Sequence, residues 1–204
     1  MYLFSKFELY IKIAVNIMIE SSKYHQTETE LSKEYGRIEA AKKNPELFKP
    51  IYDKYFEAIF RFSYRRLDDK EQAMDITQQV FLIALNNLSK YEYRGVPFSS
   101  WLFRIASNEL NDVFRKEKEK RTVNIDTVSV HDIMDEIQET RIELYHDKIV
   151  TIIAEQLEED ELQLIEMRFF EKRSFKQIGE ILDITENNAK VKTYRILDKL
   201  RKVI

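Results

Sequence analysis

The sequence predicts an all-α protein made of two small helical domains, and three observations carry that expectation. Breakers are scarce: among 204 residues there are three glycines (Gly36, Gly95, Gly179) and three prolines (Pro45, Pro50, Pro97), the two residue types that most disfavour a helix interior. Charged residues make up 34% of the chain, enough to solvate the outer faces of many helices. Apolar residues recur at three- and four-residue steps over most of the length, the period of a helix with one buried face. There is no cysteine, which excludes a disulfide framework, a thiolate metal site and a thiol nucleophile and fits a reducing, cytoplasmic setting.

The formal net charge of −3 argues against a free-standing, tight nucleic-acid binder. Its distribution is more informative. From Ile125 to Glu161 twelve acids stand against two bases, Arg141 and Lys148, whereas from Glu186 to Lys202 six bases stand against Glu186 and Asp198. Basic-ended helical blocks therefore flank an acidic middle. The expected divisions are an N-terminal helical extension (1–43), a first block (44–121), an acidic linker (122–141) and a second block (142–204).

The extension begins MYLFSKFELYIKIAVNIMIE, apolar at Leu3, Phe4, Phe7, Ile11, Ala14, Val15 and Met18. Lys6, Glu8 and Lys12 interrupt any run able to span a bilayer, and no basic leader precedes a small-residue cleavage site, so neither membrane insertion nor a secretory signal is expected. A helix docked on the protein, or residues upstream of a start at Met18, is preferred to a membrane-surface anchor. Flotation with liposomes separates the two.

In the first block, Glu46–Leu67 and Glu71–Leu88 read as helices separated by Asp68 and Asp69. The stretch KYEYRGVPF places Gly95 and Pro97 together, the strongest loop signal in the chain. A third helix begins near Phe98, with Ser99 or Ser100 as the expected cap. It carries Phe98, Trp101, Leu102 and Ile105 on one face and ends in the basic cluster Lys116, Lys118, Lys120, Arg121. Beyond it, TVNIDTVSVHDIMDEIQET shows no convincing apolar face and reads as linker.

The second block reads as helices at about Ile142–Gln156, Glu159–Glu171, Phe175–Leu182 and Glu186–Lys202. In its last pair, Ser174 and Gln177 match the S-x-x-Q capping box, Gly179 is small enough for a close helix crossing, and Thr185 suits the next N-cap. Ala189, Thr193, Ile196 and Leu200 would face inward. Asn187, Asn188, Lys190, Val191, Tyr194 and Arg195 would face outward, where amides can read adenine edges and cations can read guanine or hold phosphate. This is a helix-turn-helix pattern. The same spacing also occurs in helix pairs that touch no nucleic acid, but the capping box, the small residue and the asparagines at the helix entrance together favour DNA.

The loop and third helix of the first block admit a parallel reading. The inner edge of Trp101 reads as core, but Phe103, Arg104, Ser107, Asn108 and Asn111 are expected on other faces and the preceding loop adds Tyr91, Tyr93 and Arg94. Rings beside amides and guanidinium groups suit single-stranded DNA, because an unstacked base gains roughly 1–3 kcal/mol on an aromatic platform. Lys116, Lys118, Lys120 and Arg121 could hold adjoining phosphates, although Glu117 and Glu119 alternate with them.

The segments AMDITQQVFLIALNNL and FSSWLFRIASNELNDVFR, followed by the helix-turn-helix, resemble the sigma factors of bacterial RNA polymerase, most closely the extracytoplasmic-function group. The resemblance runs from about Pro45 to Ile204. It implies an all-α fold with a region 2-like bundle and a region 4-like helix-turn-helix domain, and core RNA polymerase (its clamp helices and flap) and promoter DNA as partners. The family often includes an anti-sigma protein, membrane-bound in many cases, and no cofactor or metal is implied. By position, Asp75, Gln78, Gln79 and Phe81 match the segment that binds the clamp coiled coil. The loop Lys90–Pro97, with Tyr91, Tyr93 and Arg94, matches the pocket for a base flipped from the minus-ten element. Trp101, Arg104, Asn108, Asn111, Arg115 and Lys116 match the stretch that melts and holds that element. Glu186, Asn187, Asn188, Lys190, Val191, Tyr194 and Arg195 match the helix that reads the minus-thirty-five element. Met74 stands where the family often has an acid, and Asp183 and Asn187 replace residues that are often glycine. The acidic linker would thread through polymerase near channels that otherwise carry nucleic acid.

Catalysis is not expected: His25, His131 and His146 lie in unrelated contexts and no glycine-rich phosphate loop is present. The alternative function is a helix-turn-helix regulator that binds an operator without polymerase; a helical protein-interaction module is a third. Asp75→Ala or Gln78→Ala should impair activity only in a polymerase-dependent factor, whereas Lys190→Ala and Arg195→Ala should impair either DNA-binding protein.

Overall fold

The computed structural model describes residues 27–117, Ile133 and residues 156–203. The extension's first twenty-six residues, the basic run Lys118–Arg121, the acidic linker apart from Ile133, and the expected helix at Ile142–Gln156 apart from its last residue lie outside the described part. Among the described residues every regular element is helical. The end of the expected extension forms α1 (Glu28–Lys43), and the first block comprises a 3₁₀ turn at Pro45–Phe48, α2 (Lys49–Leu67), α3 (Lys70–Asn86), a second 3₁₀ turn at Leu88–Lys90 and α4 (Phe98–Glu117). The second comprises α5 (Glu159–Ile165), which opens into a π turn at Glu166–Phe170, then α6 (Phe175–Leu182) and α7 (Glu186–Arg201).

Local chemistry sets most boundaries. Thr27 and Glu30 form a reciprocal capping box at the start of α1, satisfying donors that a helix start leaves without partners. Pro45 and Pro50 both fall in first turns, where the missing N–H is harmless. α2 stops at Asp68, which takes the left-handed conformation at φ 52°, and Asp69 then caps α3 by accepting from the N–H groups of Glu71 and Gln72. The expected single helix at Glu46–Leu67 is thus a 3₁₀ turn followed by α2.

The cap expected from Ser99 or Ser100 is not used at α4. Helix geometry begins at Phe98, so both serines lie inside the first turn, and the buried Ser100 Oγ has no partner among the described residues. The Phe98 N–H instead donates to the Glu34 carboxylate of α1 at 2.8 Å. The cap comes from another helix, which local sequence cannot announce.

The helix-turn-helix follows its sequence signals. Ser174 and Gln177 form the capping box on α6, and Thr185 caps α7 by accepting from the Asn188 N–H. The turn between them starts at Asp183, left-handed at φ 57°, a conformation that glycine enters without strain, consistent with the glycine common there in the resembling family. A Cβ added to Gly179 would sit 2.7 Å from the Ile184 carbonyl oxygen and 3.2 Å from the Glu186 nitrogen. Both neighbours are backbone and cannot swing away. Gly179→Ala should therefore destabilise the second block by about 1–3 kcal/mol, measured as a lowered denaturant midpoint.

The blocks share one apolar core. Ile38 and Ala41 of α1 join Ile51, Tyr55, Ile59 and Phe62 of α2, Val80, Phe81 and Ala84 of α3, and Leu102, Phe103, Ala106 and Leu110 of α4. The cluster continues into Leu162, Ile165, Met167, Ile178, Ile181, Ala189, Ile196 and Leu200 of the second block, and Ile133 is buried in it as well. α4 packs directly on α6. Charged groups span the seam: Arg66 of α2 approaches Glu166 at 3.6 Å, Arg65 pairs with Glu171, and Arg173 donates to Ser99 Oγ at 2.9 Å. Arg173 also lies 4.1 Å from the centre of the Phe103 ring, and burial pushes its guanidinium down to about 10.

Candidate polymerase and nucleic-acid interface

Three surfaces carry the residues singled out in the sequence. On α3, Asp75, Gln78 and Gln79 are exposed on one side. Phe81 is not among them. It is 4% exposed and its ring packs against those of Phe48, Tyr52 and Phe56, so it holds α3 on α2 and cannot also face a partner. Leu82 is 53% exposed and, at the i, i+3, i+4, i+7 spacing from Asp75, completes that face. The helical period carried the signal, since Leu82 falls outside the inner set of α3.

The second surface is the loop before α4 and the helix that follows. Tyr91, Arg94, Val96, Pro97, Trp101 and Arg104 line a small concavity of about 120 Å³, and Glu180 of α6 forms part of its wall. Gly95 turns the loop at φ 71°, in the region open to residues without a Cβ. Tyr91 is buried, its ring 4.9 Å from Phe98 and 5.2 Å from Trp101. Burial, reinforced by the nearby Glu34 carboxylate, pushes its phenol above the ordinary range, so the hydroxyl remains a neutral donor. Trp101 is half-buried and leaves ring surface on the concavity, while Tyr93 is exposed on the same loop.

The cations of this surface face acids. Arg94 pairs with Glu180 at 3.2 Å and Arg104 with Asp183 at 3.3 Å, both acids belonging to the second block. Asn108 is exposed; Asn111 is half-buried and lies 3.4 Å from Arg66 Nη2, and Arg115 pairs with Asp112 at 2.9 Å. The side chain of Lys116 lies outside the described part. Sequence reasoning missed Glu180 and Asp183 because ion pairs between distant blocks leave no local pattern.

The third surface is α7. Glu186, Asn187, Asn188, Lys190, Val191, Tyr194 and Arg195 are all exposed, while Ala189, Thr193, Ile196 and Leu200 are buried. Leu197 is buried as well, widening the inner stripe to the arc that a packed helix needs. The Tyr194 ring lies 6.4 Å from that of Phe175 on α6, which steadies the outward face at its middle. Among the described residues no group of acids and histidines could hold a metal, and no helix is long and apolar enough to cross a membrane.

Comparison with known proteins matches two stretches of the chain. Residues 51–120 match the family Sigma-70 region 2, and residues 154–202 match Sigma-70, region 4. The chain is 29% identical over 164 residues to the sigma factor SigX of Bacillus subtilis, covering 77% of this chain and 83% of SigX. It is 28% identical over 177 residues to SigW of the same organism, covering 81% and 94%. Similarity to the sigma factor BldN of Streptomyces coelicolor is 23% over 158 residues, 77% of this chain and 60% of BldN.

Proposed function

We propose, because the chain belongs to the sigma-70 family of RNA polymerase sigma factors and to its extracytoplasmic-function group, that α3, the loop with α4, and α7 divide polymerase docking and promoter reading among themselves. The protein binds core RNA polymerase, directs it to promoters and helps open the DNA. The assignment of residues to those tasks is the proposal. The exposed row Asp75, Gln78, Gln79 and Leu82 docks on polymerase. Tyr93, Arg94, Trp101, Arg104 and Asn108 capture the opened minus-ten strand. Asn187, Asn188, Lys190, Val191, Tyr194 and Arg195 read the minus-thirty-five element from the major groove. An anti-sigma protein is proposed as a further partner, and the cytoplasm as the site of action, on the family resemblance.

The observation that carries this reading is the coexistence of a helix-turn-helix with a second, aromatic and cationic loop surface. An operator-binding regulator needs only the first. Opening DNA costs a few kcal/mol per unstacked step, and stacking a freed base on an aromatic ring returns roughly 1–3 kcal/mol, so a ring-lined loop suits a factor that melts its target. The net negative charge also finds a reason: each basic surface is small, and polymerase raises their joint affinity by holding both at a fixed spacing.

Run-off transcription from genomic fragments with core polymerase, with and without the protein, tests the reading. Discrete transcripts that depend on the protein support it, and their absence with a polymerase competent for another sigma factor would overturn it. Asp75→Ala should lower those transcripts without weakening α7's contact with isolated DNA.

The pairing of Arg94 with Glu180 and Arg104 with Asp183 makes DNA compete with the second block for the same cations. Exposed ion pairs are worth roughly 0.2–1 kcal/mol each. The double substitution Glu180→Gln, Asp183→Asn should therefore tighten binding of a single-stranded minus-ten oligonucleotide by the free protein roughly two- to thirtyfold. Fluorescence anisotropy at fixed low salt measures it.

A further inference from the structure

We infer that α1, which precedes the family-matched span, is a positioning element for minus-ten recognition: Glu34, Tyr35 and Lys42 hold the loop Tyr91–Pro97 in its base-capturing shape. The inference rests on the sigma reading above.

The loop does little to hold itself. No backbone hydrogen bond among the described residues ties Glu92, Tyr93, Arg94, Gly95 or Val96, so its shape is set by side chains reaching it from outside. α1 supplies one at the entrance, one in the middle and one at the exit. At the entrance, Lys42 Nζ donates to the Tyr91 carbonyl at 2.7 Å and lies 5.9 Å from the centre of its ring. In the middle, the Tyr35 ring sits 5.4 Å from that of Tyr93. At the exit, Glu34 accepts from the Phe98 N–H at 2.8 Å.

Glu34 is the firmest of the three. It is 7% exposed, and its other oxygen accepts from Lys54 at 2.6 Å and from the Tyr55 hydroxyl. A buried carboxylate is weak evidence for stability, since apolar replacements often do as well, but its donors fix a geometry. Here the geometry fixed is the start of α4. Phe98 N–H is one of the donors a helix start leaves open, and no serine serves it. Phe98 contacts Trp101 at 5.4 Å one turn on, and the Tyr91 ring contacts both. A shift at Phe98 therefore moves the walls of the concavity together.

α6 also reaches the loop, through the pair of Glu180 with Arg94 and through Lys176 beside Gly95, and α6 belongs to the block that must engage a promoter element elsewhere. The contacts from α1 come from the loop's own side of the molecule and do not depend on where α6 and α7 sit.

The test uses the full chain with core polymerase and two promoter pools built on a promoter selected by the wild-type factor. One pool is randomised in the minus-ten element, the other in the minus-thirty-five element, and transcripts are sequenced. Tyr35→Ala, Lys42→Met and Glu34→Gln should each reduce the spread of minus-ten preferences about three- to tenfold, the scale of one lost hydrogen bond or ring contact, with the minus-thirty-five profile unchanged. Tyr35→Phe, which keeps the ring, should retain the wild-type profile. Tyr35 is partly exposed, so Tyr35→Ala decides the matter even if Glu34→Gln fails to fold. An equal loss across both pools would mean a merely structural role, and an unaltered minus-ten profile would mean none; either overturns the inference. A wild-type factor yielding no specific transcripts would instead fail at the sigma reading.

Discussion

Lys190→Ala combined with Arg195→Ala should all but remove transcription from the promoters this factor selects. Both side chains are exposed on the outer face of α7, opposite the buried Ala189, Thr193, Ile196 and Leu200, so their truncation leaves the packing of α7 on α6 untouched. A side chain that reads a base edge is worth about 1–3 kcal/mol of discrimination, five- to hundredfold in promoter use, and losses at separated positions add roughly. The single substitutions separate two roles. A residue on a base relaxes preference at one position of the minus-thirty-five element, whereas one on phosphate weakens all sequences alike and lowers the salt dependence. Run-off transcription across a minus-thirty-five pool measures both, with thermal unfolding as the control. Wild-type yields from the folded double variant would remove α7 from the DNA interface.

The all-α class, the helix-turn-helix and the inner face of α7 were legible because they are periodic and local: a capping box at Ser174 and Gln177, an N-cap at Thr185, an apolar residue every three or four positions. Illegible features depend on what a side chain meets from a distant part of the chain. The resemblance assigns Phe81 to a partner surface, but the rings of Phe48, Tyr52 and Phe56, contributed from outside α3, make it core. The start of α4 looked like a serine cap and is held by Glu34 from α1. A periodic reading also assigns every charged residue to the outside. Arg66, Glu166 and Glu34 are buried, because each finds an opposite charge across a helix interface, and no window of sequence contains both partners.

The second large effect arises at one of those buried pairs. Arg66 of α2 has no exposed side-chain surface; its guanidinium lies 3.6 Å from Glu166 and sits beside the rings of Phe62, at 5.2 Å, and Phe114, at 5.8 Å. Glu166 is carried by the π turn that follows α5, so the pair joins the two blocks. Glu166→Ala takes from the buried Arg66 the acid at 3.6 Å, and loss of one member of a buried pair costs about 3–5 kcal/mol. Glu166→Ala should accordingly lower the denaturant midpoint by a large fraction of the whole stability of the protein, which for a domain of this size is about 5–15 kcal/mol. The double substitution Arg66→Met, Glu166→Met should recover most of that loss, because apolar groups of similar volume can replace a buried pair at little net cost. Chemical denaturation followed by circular dichroism distinguishes the outcomes: an unchanged slope with a shifted midpoint reports stability alone. If Glu166→Ala shifts the midpoint by less than the equivalent of about 1 kcal/mol, the value typical of an exposed pair, then Arg66 is solvated when the carboxylate is gone and the seam between the blocks opens readily. A recovery in the double variant would show instead that the seam is held by shape and apolar burial, with the ion pair fixing which residues of α2 and the π turn meet.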